Sequence, residues 1–244
     1  MSLIKIRNSF LNNVTWQAAD SCDFEVDSVT HVWKIEIEAN THNLPQYHSL
    51  LNPLEIERSQ RYRHIPDTNR FIVSRAVTRI LPGKYLHTNP SEIVFRQGVN
   101  KKPFVENSGL FYNISHSGDL VLLAVSDASI GIDVERIDPG FDFNDILTDY
   151  FSASEQKLII TSSQADSFYR LWTRKEALTK ATGKGLDDDL KLIPAPDGEH
   201  PLSGPIIGSN ENWAVTSFQA AIGYMASLAA NDQGKPTRFF EFGG

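Results

Sequence analysis

Twice along these 244 residues the chain repeats one order of patterns: an alternating stretch, then helical periodicity, then alternating stretches again. Residues 31–39 (HVWKIEIEA) alternate as a half-buried strand does. A helix is expected over 52–64, opened by Asn52-Pro53, a good cap and first turn. Another is expected over 67–81, with Asp67 as its candidate cap. Its Ile72, Val73, Ala76, Val77, Ile80 and Leu81 fall at helical spacing, and Pro82-Gly83 should end or kink it. Residues 91–97 read as a short strand and 98–105 as a loop. Two strands, 110–115 and 119–126, are joined by a turn signal. The order then restarts. A strand at 129–137 precedes helices at 142–151, 152–162 and 164–186, the second with Ser152 and Glu155 at its start and the third with Gly183 as terminator. Strands follow at 190–194, 213–219, 222–230 and 238–242, with 194–205 as a turn-rich connector. This order favours an α+β fold over the strict alternation of a parallel sheet, built as two similar halves divided near Ala128.

Composition narrows the classes. Apolar residues make up 41% and charged residues 22%, ordinary for a soluble globular chain. The net charge of −7 argues against a general nucleic-acid binder. No run approaches the ~20 apolar residues a membrane helix needs, and the start, MSLIKIRNSF, does not read as a secretory signal. The one cysteine, Cys22, excludes an intrachain disulfide and a cysteine zinc site. A cytoplasmic monomer is the expectation. The charge is uneven: residues 55–84 carry seven basic residues (Arg58, Arg61, Arg63, Arg70, Arg75, Arg79, Lys84) against Glu55, Glu57 and Asp67. Such an island is either a solvated helix face or a local anion site.

The strand at 131–137, GIDVERI, sets a problem. Asp133 and Glu135 are two apart and so leave a strand by the same face, where they repel. A hard cation between them is one resolution; a carboxylate turned to solvent and paired with a Lys or Arg is the other. In the helix, Trp172, Glu176 and Lys180 are successive i, i+4 positions on one face. Trp172 in the core would send Glu176 and Lys180 together into a site; an exposed Glu–Lys helix pair is the plain alternative. In NISHS (113–117), His116 suits phosphate binding or proton transfer. Ser115 and His116 are adjacent and point to opposite strand faces, which disfavours a serine-hydrolase pair, and no G-x-S-x-G elbow is present. The GKG at 183–185 lacks the P-loop spacing.

Taken together, FYNISHSGDLVLLAVS, IGIDVERI and WTRKEALTKATGKGL, in this order and spacing, resemble the 4′-phosphopantetheinyl transferases of the surfactin-synthetase-activating type. The likeness reaches upstream through RYRHIPDTNRFIVSRAVTRIL and NKKPFV, covers roughly residues 31–190 and is weak in the tail. It implies two α+β halves, 1–128 and 129–244, related by a pseudo-twofold with the active site in the cleft between them. It also implies a monomeric, Mg²⁺-dependent enzyme, with Mn²⁺ as a possible substitute. The reaction moves phosphopantetheine from coenzyme A to a serine of an apo acyl, peptidyl or polyketide carrier and releases 3′,5′-ADP.

The positions matching the family's metal ligands are Asp133, Glu135 and Glu176. Lys180 matches its site lysine, and Lys102, Ser115 and His116 match coenzyme contacts. Arg58 matches a 3′-phosphate contact, with Arg70 and Arg75 as helpers, and Glu155 stands where the family often has a further acid near the cleft. Glu176 is the expected base for the carrier serine, and Lys180 the group that meets charge on the departing phosphate. Two rivals remain at this level: a metal-dependent hydrolase of a nucleotide cofactor's diphosphate, and a non-catalytic module that binds coenzyme A or a carrier.

Overall fold

The computed structural model describes residues 3–185, 188–231 and 234–243; Leu186, which ends the third motif, lies outside them. Strand β1 (Leu3–Leu11) buries Ile4, Ile6 and Asn8 at alternate positions, as period-two geometry requires. Short β2 (Trp16–Ala18) and β3 (Thr30–Glu36) follow, then helices α1 (Leu44–Ser49), α2 (Pro53–Ser59) and α3 (Ile65–Tyr85). The first half continues with hairpins β4 (Phe95–Gln97)–β5 (Pro103–Val105) and β6 (Phe111–Ser117)–β7 (Leu120–Ser126). Strand β8 (Ile130–Arg136) opens the second half. It is followed by α4 (Asn144–Tyr150), α5 (Ala153–Thr161), α6 (Gln164–Thr182), β9 (Gly198–Ser203), α7 (Gly204–Ile207), β10 (Trp213–Ala221), β11 (Tyr224–Asn231) and β12 (Thr237–Glu241).

Two five-stranded sheets result, ordered β2-β12-β3-β7-β6 and β8-β11-β10-β1-β9. The run β3-β7-β6 and the run β8-β11-β10 have the same plan, which is the repeat visible in the sequence. The chain ends cross over. β1 joins the second half's sheet, parallel to β10, and β12 joins the first half's sheet, parallel to β3. Val32, Leu122 and Ala124 from one sheet pack against Ile130, Ile132, Val134, Phe218 and Leu228 from the other, forming a core between the sheets. On the outer faces, Val73, Ala76 and Val77 of α3 pack on Trp33 and Leu123, while Ala177, Leu178 and Ala181 of α6 pack with Ile6, Val215 and Ala229. No helix among the described residues is long and apolar enough to cross a membrane.

Local signals explain several element ends. Asn52 and Ser152 form capping boxes with Glu55 and Glu155. Gly183 ends α6 in the left-handed conformation, φ 73°. Other expectations fail. Helix α3 begins at Ile65 with His64 as its cap position, so Asp67 sits in the first turn instead of capping. Pro82 does not end α3: the helix runs to Tyr85, with Leu86 N–H bonding back to Pro82 O at 3.0 Å. Residues 190–194 are no strand; 188–192 form a 3₁₀ turn. The connector at 194–205 and the loop at 98–105 each contain a strand, β9 and β5. β9 is an edge strand on β1, where Pro201 and Gly198 are tolerated because one side needs no partner.

Candidate active site

Gly131, Asp133 and Glu135 leave β8 on the face turned to α6, while Ile130, Ile132 and Val134 face the core between the sheets. The approach of α6 is set by Gly131. A Cβ there would lie 2.8 Å from Ala181 Cα and closer still to Ala177 O and Ala181 N. Only hydrogen at this position lets the helix backbone rest on the strand. Glu176 and Lys180 are the chain neighbours of those two contact residues, so this contact brings them over the acidic strand. Lys180 Nζ donates to Asp133 Oδ1 at 2.6 Å and to Ser115 Oγ at 3.2 Å.

The cluster is electrostatically strained. Burial pushes the Glu176 carboxyl up to about 7, with Asp133 and Glu135 adding to the rise and Lys180 opposing it. Burial also raises Glu135, followed by the charge of Asp133, against a hydrogen bond from Ser117 and the Lys180 charge. Asp133 is 2% exposed, and its Oδ2 has no hydrogen-bond partner among the described residues. These three carboxylates feel one another's charge, and one has a buried orphaned oxygen; they are the donor type that a hard divalent cation takes, although their oxygens do not all lie within 4.8 Å of one another here.

The strand beside β8 is β6, but no backbone ladder joins them. Asn113 Oδ1 accepts from Ile132 N–H (2.8 Å), Ser115 Oγ from Val134 N–H (3.4 Å) and Ser117 Oγ from Arg136 N–H (3.0 Å). Ser115 and Ser117 then donate onward to Asp133 Oδ1 (2.9 Å) and Glu135 Oε2 (2.8 Å). The two sheets therefore meet through side chains at the acidic strand. The sequence reading missed Asn113 and Ser117 as parts of this site. The available signal was three polar residues at period two in NISHS.

One cavity borders the cluster, and a second adjoins the first at Lys102. The first, about 250 Å³, is bordered by Lys102, Asn113, Glu176, Thr179 and Lys180. The second, about 550 Å³ and largely apolar, is bordered by Lys102, Pro103, Phe104, Phe111, Tyr112 and Ile207. Lys102 stands between them. Its Nζ donates to Ala181 O at 2.6 Å and Ile130 O at 3.1 Å, which leaves one N–H for a ligand; burial pushes its pKa down to about 8.

The basic island is only partly free. Arg75 and Arg79 both pair with Glu55, at 3.1 and 2.8 Å. Arg61 pairs with Glu57 at 2.5 Å, and Arg70 pairs with Asp67 and reaches Gly118 O at 3.2 Å. Arg58 is exposed, stacks over Phe71 at 5.2 Å, and has no carboxylate partner among the described residues. His116 is exposed on β6, between Ser115 and Ser117. Crowding around its ring lowers its pKa, and the nearby charges of Arg70 and Lys180 lower it further.

Glu155 is not beside the cleft. It is 1% exposed and its oxygens accept from Ser152 N, Ala195 N and Lys175 Nζ, at 2.9, 2.9 and 3.0 Å. Lys175 directs its other protons to Leu190 O and Ile193 O. Arg174, equally buried, binds Ser217 Oγ, Ala195 O, Ser9 O and Asp197. The pair and the arginine fasten α6 to the 190–197 segment on the side away from the site. Lys175→Met should strand the Glu155 carboxylate and lower unfolding free energy by about 3–5 kcal/mol in urea titration. A loss under about 1 kcal/mol would contradict this anchoring role.

The chain matches two family models over adjoining spans. The model described as 4′-phosphopantetheinyl transferase, N-terminal, covers residues 36–128, and that of the 4′-phosphopantetheinyl transferase superfamily covers 129–224. Similar proteins include the 4′-phosphopantetheinyl transferase HetI of Nostoc sp., 32% identical over 64% of this chain and 69% of its own length. A 4′-phosphopantetheinyl transferase of Bacillus subtilis is 32% identical over 59% of this chain and 71% of its own. Sfp of Bacillus subtilis is 27% identical over 76% and 84%. With the matched spans meeting where β7 gives way to β8, the chain belongs to the 4′-phosphopantetheinyl transferase superfamily: it is an enzyme that transfers the phosphopantetheine group of coenzyme A to a carrier protein.

Proposed function

We propose that the transfer takes place in the cleft between β6 and α6, where Asp133, Glu135 and Glu176 hold one divalent ion, Mg²⁺ with Mn²⁺ as a substitute. The observation that carries this reading is the unpartnered, buried Asp133 Oδ2 beside two further carboxylates. When bound, the ion supplies charge withdrawal from the diphosphate. In this reading the halves divide the work: residues 1–128 bring the anion contacts and 129–244 the acidic cluster and its helix.

The carrier serine oxygen forms a new P–O bond to the phosphorus that bears pantetheine. The bond from that phosphorus to the bridging oxygen breaks, and 3′,5′-ADP leaves. Glu176, directly or through a water, takes the serine proton. Lys180, once drawn from Asp133 by the bound diphosphate, donates an N–H to the departing phosphate oxygen. Arg58 meets the 3′-phosphate, with His116 and Arg70 beside it and Arg75, half committed to Glu55, behind. Lys102 and Ser115 contact the coenzyme from the β6 side, and the apolar cavity beyond Lys102 suits its base.

The partner is an apo acyl carrier protein or a peptidyl or polyketide carrier domain, met by a cytoplasmic monomer. Incubation with coenzyme A, Mg²⁺ and an apo-carrier should add one phosphopantetheinyl group by intact mass. Coenzyme cleavage with an unmodified carrier would instead mark a hydrolase, and binding without turnover a module. Arg58→Ala should raise KM for coenzyme A about tenfold with kcat little changed, since one exposed charge-assisted contact is lost. Lys102→Ala should raise KM and also lower the melting temperature, because its carbonyl bonds hold β8 and α6. An unchanged KM in both would reject the anion contacts.

A further inference from the structure

Glu135 is tied to the protein by a single hydrogen bond, more loosely than Asp133 on the same strand. Asp133 has a short side chain and two donors, Lys180 and Ser115. Glu135 has an extra torsion, is only half-buried, and is repelled by Asp133. Among the described residues its carboxylate accepts one hydrogen bond, from Ser117 Oγ at 2.8 Å.

The proton count at Ser117 leaves no freedom. A hydroxyl has one hydrogen and two lone pairs. The Arg136 N–H, donated to Oγ at 3.0 Å, takes a lone pair on the strand side. The hydrogen then points to Glu135 Oε2, and Oε1 accepts no hydrogen bond among the described residues. A backbone amide of β8 thus orients the hydroxyl, and the hydroxyl orients the carboxylate of the next residue back. Because Ser117 belongs to β6, the carboxylate on one half is fixed by the other half. Ser115 makes the same bridge to Asp133, but it also meets Lys180 and is already a coenzyme contact under the proposed function.

We propose that Ser117 is a positioning residue for the divalent-ion site, holding Glu135 in its ligating rotamer from across the seam between the halves. This rests on the assignment of Asp133, Glu135 and Glu176 as the ion's ligands. Partners that orient a ligand in this way change metal affinity about 10–100-fold when lost. The stability consequence should be small, because the Arg136 amide lies at the exposed end of β8 and water can replace the hydroxyl there.

The test is Mn²⁺ binding to the purified, coenzyme-free protein, read by the loss of free-Mn²⁺ EPR signal. Wild type, Ser117→Ala, Ser117→Thr and Glu135→Gln are compared, with melting temperatures measured in EDTA. Ser117→Ala should weaken Mn²⁺ binding about 10–100-fold at a near-unchanged melting temperature, and Ser117→Thr, which keeps the hydroxyl, should recover most of it. Wild-type affinity in Ser117→Ala together with loss in Glu135→Gln would overturn the positioning role while leaving the ligand assignment standing. A large fall in melting temperature that Ser117→Thr does not rescue would overturn it in favour of a structural role. Wild-type affinity in Glu135→Gln would overturn the ligand assignment and the inference together.

Discussion

Glu176→Gln will abolish phosphopantetheine transfer, by at least about 1,000-fold in kcat, and will leave the protein folded. Glutamine keeps the volume but neither accepts the serine proton nor completes an anionic ligand set, and a general base alone is worth roughly 100- to 10,000-fold. The stability result has the opposite sign. In the metal-free protein the folded-state pKa of Glu176 is about 7 against a usual 4.5. The folded state therefore binds more protons than the unfolded one between those values. Stability falls as pH rises from about 4.5 to about 7 and is flat beyond, each tenfold difference in proton affinity between the two states being worth about 1.4 kcal/mol. Glu176→Gln removes this slope, so the variant should melt at or above the wild type at pH 8 in EDTA. Mg²⁺ binding should weaken as pH drops below 7, because the ligand must lose its proton. Thermal scans from pH 5 to 8 with and without metal check these signs. Near-normal turnover in the variant would remove Glu176 from both roles.

Gly131→Ala will be the most damaging single-methyl addition near the site. The added carbon meets helix backbone at Ala177 and Ala181, which cannot rotate away as a side chain can. Nor can α6 slide. Arg174 and Lys175 hold it to distant carbonyls, and Thr173 Oγ1 bonds Ser227 Oγ at 2.8 Å. Overpacking of this kind costs about 3 kcal/mol or more. Whatever remains folded will carry Glu176 and Lys180 displaced by something near 1 Å, enough to lose about 100-fold in rate. Gly140→Ala is the control. That glycine has an ordinary φ and its nearest neighbour to an added Cβ is Asp138 Oδ1 at 3.4 Å, so urea titration and turnover should barely move. Equal behaviour of the two variants would contradict the close strand–helix contact.

The acidic strand and its helix were legible because they depend on local periodicities. Period two places Asp133 and Glu135 together, and a four-residue step places Glu176 over Lys180. Caps at Asn52, Ser152 and Gly183 were legible for the same reason. What failed depends on partners far along the chain. β9 hides behind Gly198 and Pro201, since only its pairing with β1 makes an edge strand of it. The burial of Glu155 with Lys175 depends on the 190–195 segment folding over both. Trp172 is half-buried against Tyr150 and Phe168, less of a core anchor than its helix stripe implied. Ser117 reads as a turn residue until β8 arrives beside it. Pro82 is tolerated in the last turn of α3, where Leu81 stays packed in the core and Gly83 lies against Thr88 and Pro90.

The central claim is that three carboxylates from β8 and α6 share one ion. A crystal grown with coenzyme A and Mn²⁺ tests it most directly, by the anomalous signal of the metal. One peak within about 2.0–2.3 Å of oxygens from Asp133, Glu135 and Glu176, and in contact with the diphosphate, is the predicted result. A peak that leaves any one of the three without a bond to the metal, or that lies elsewhere in the molecule, would contradict it.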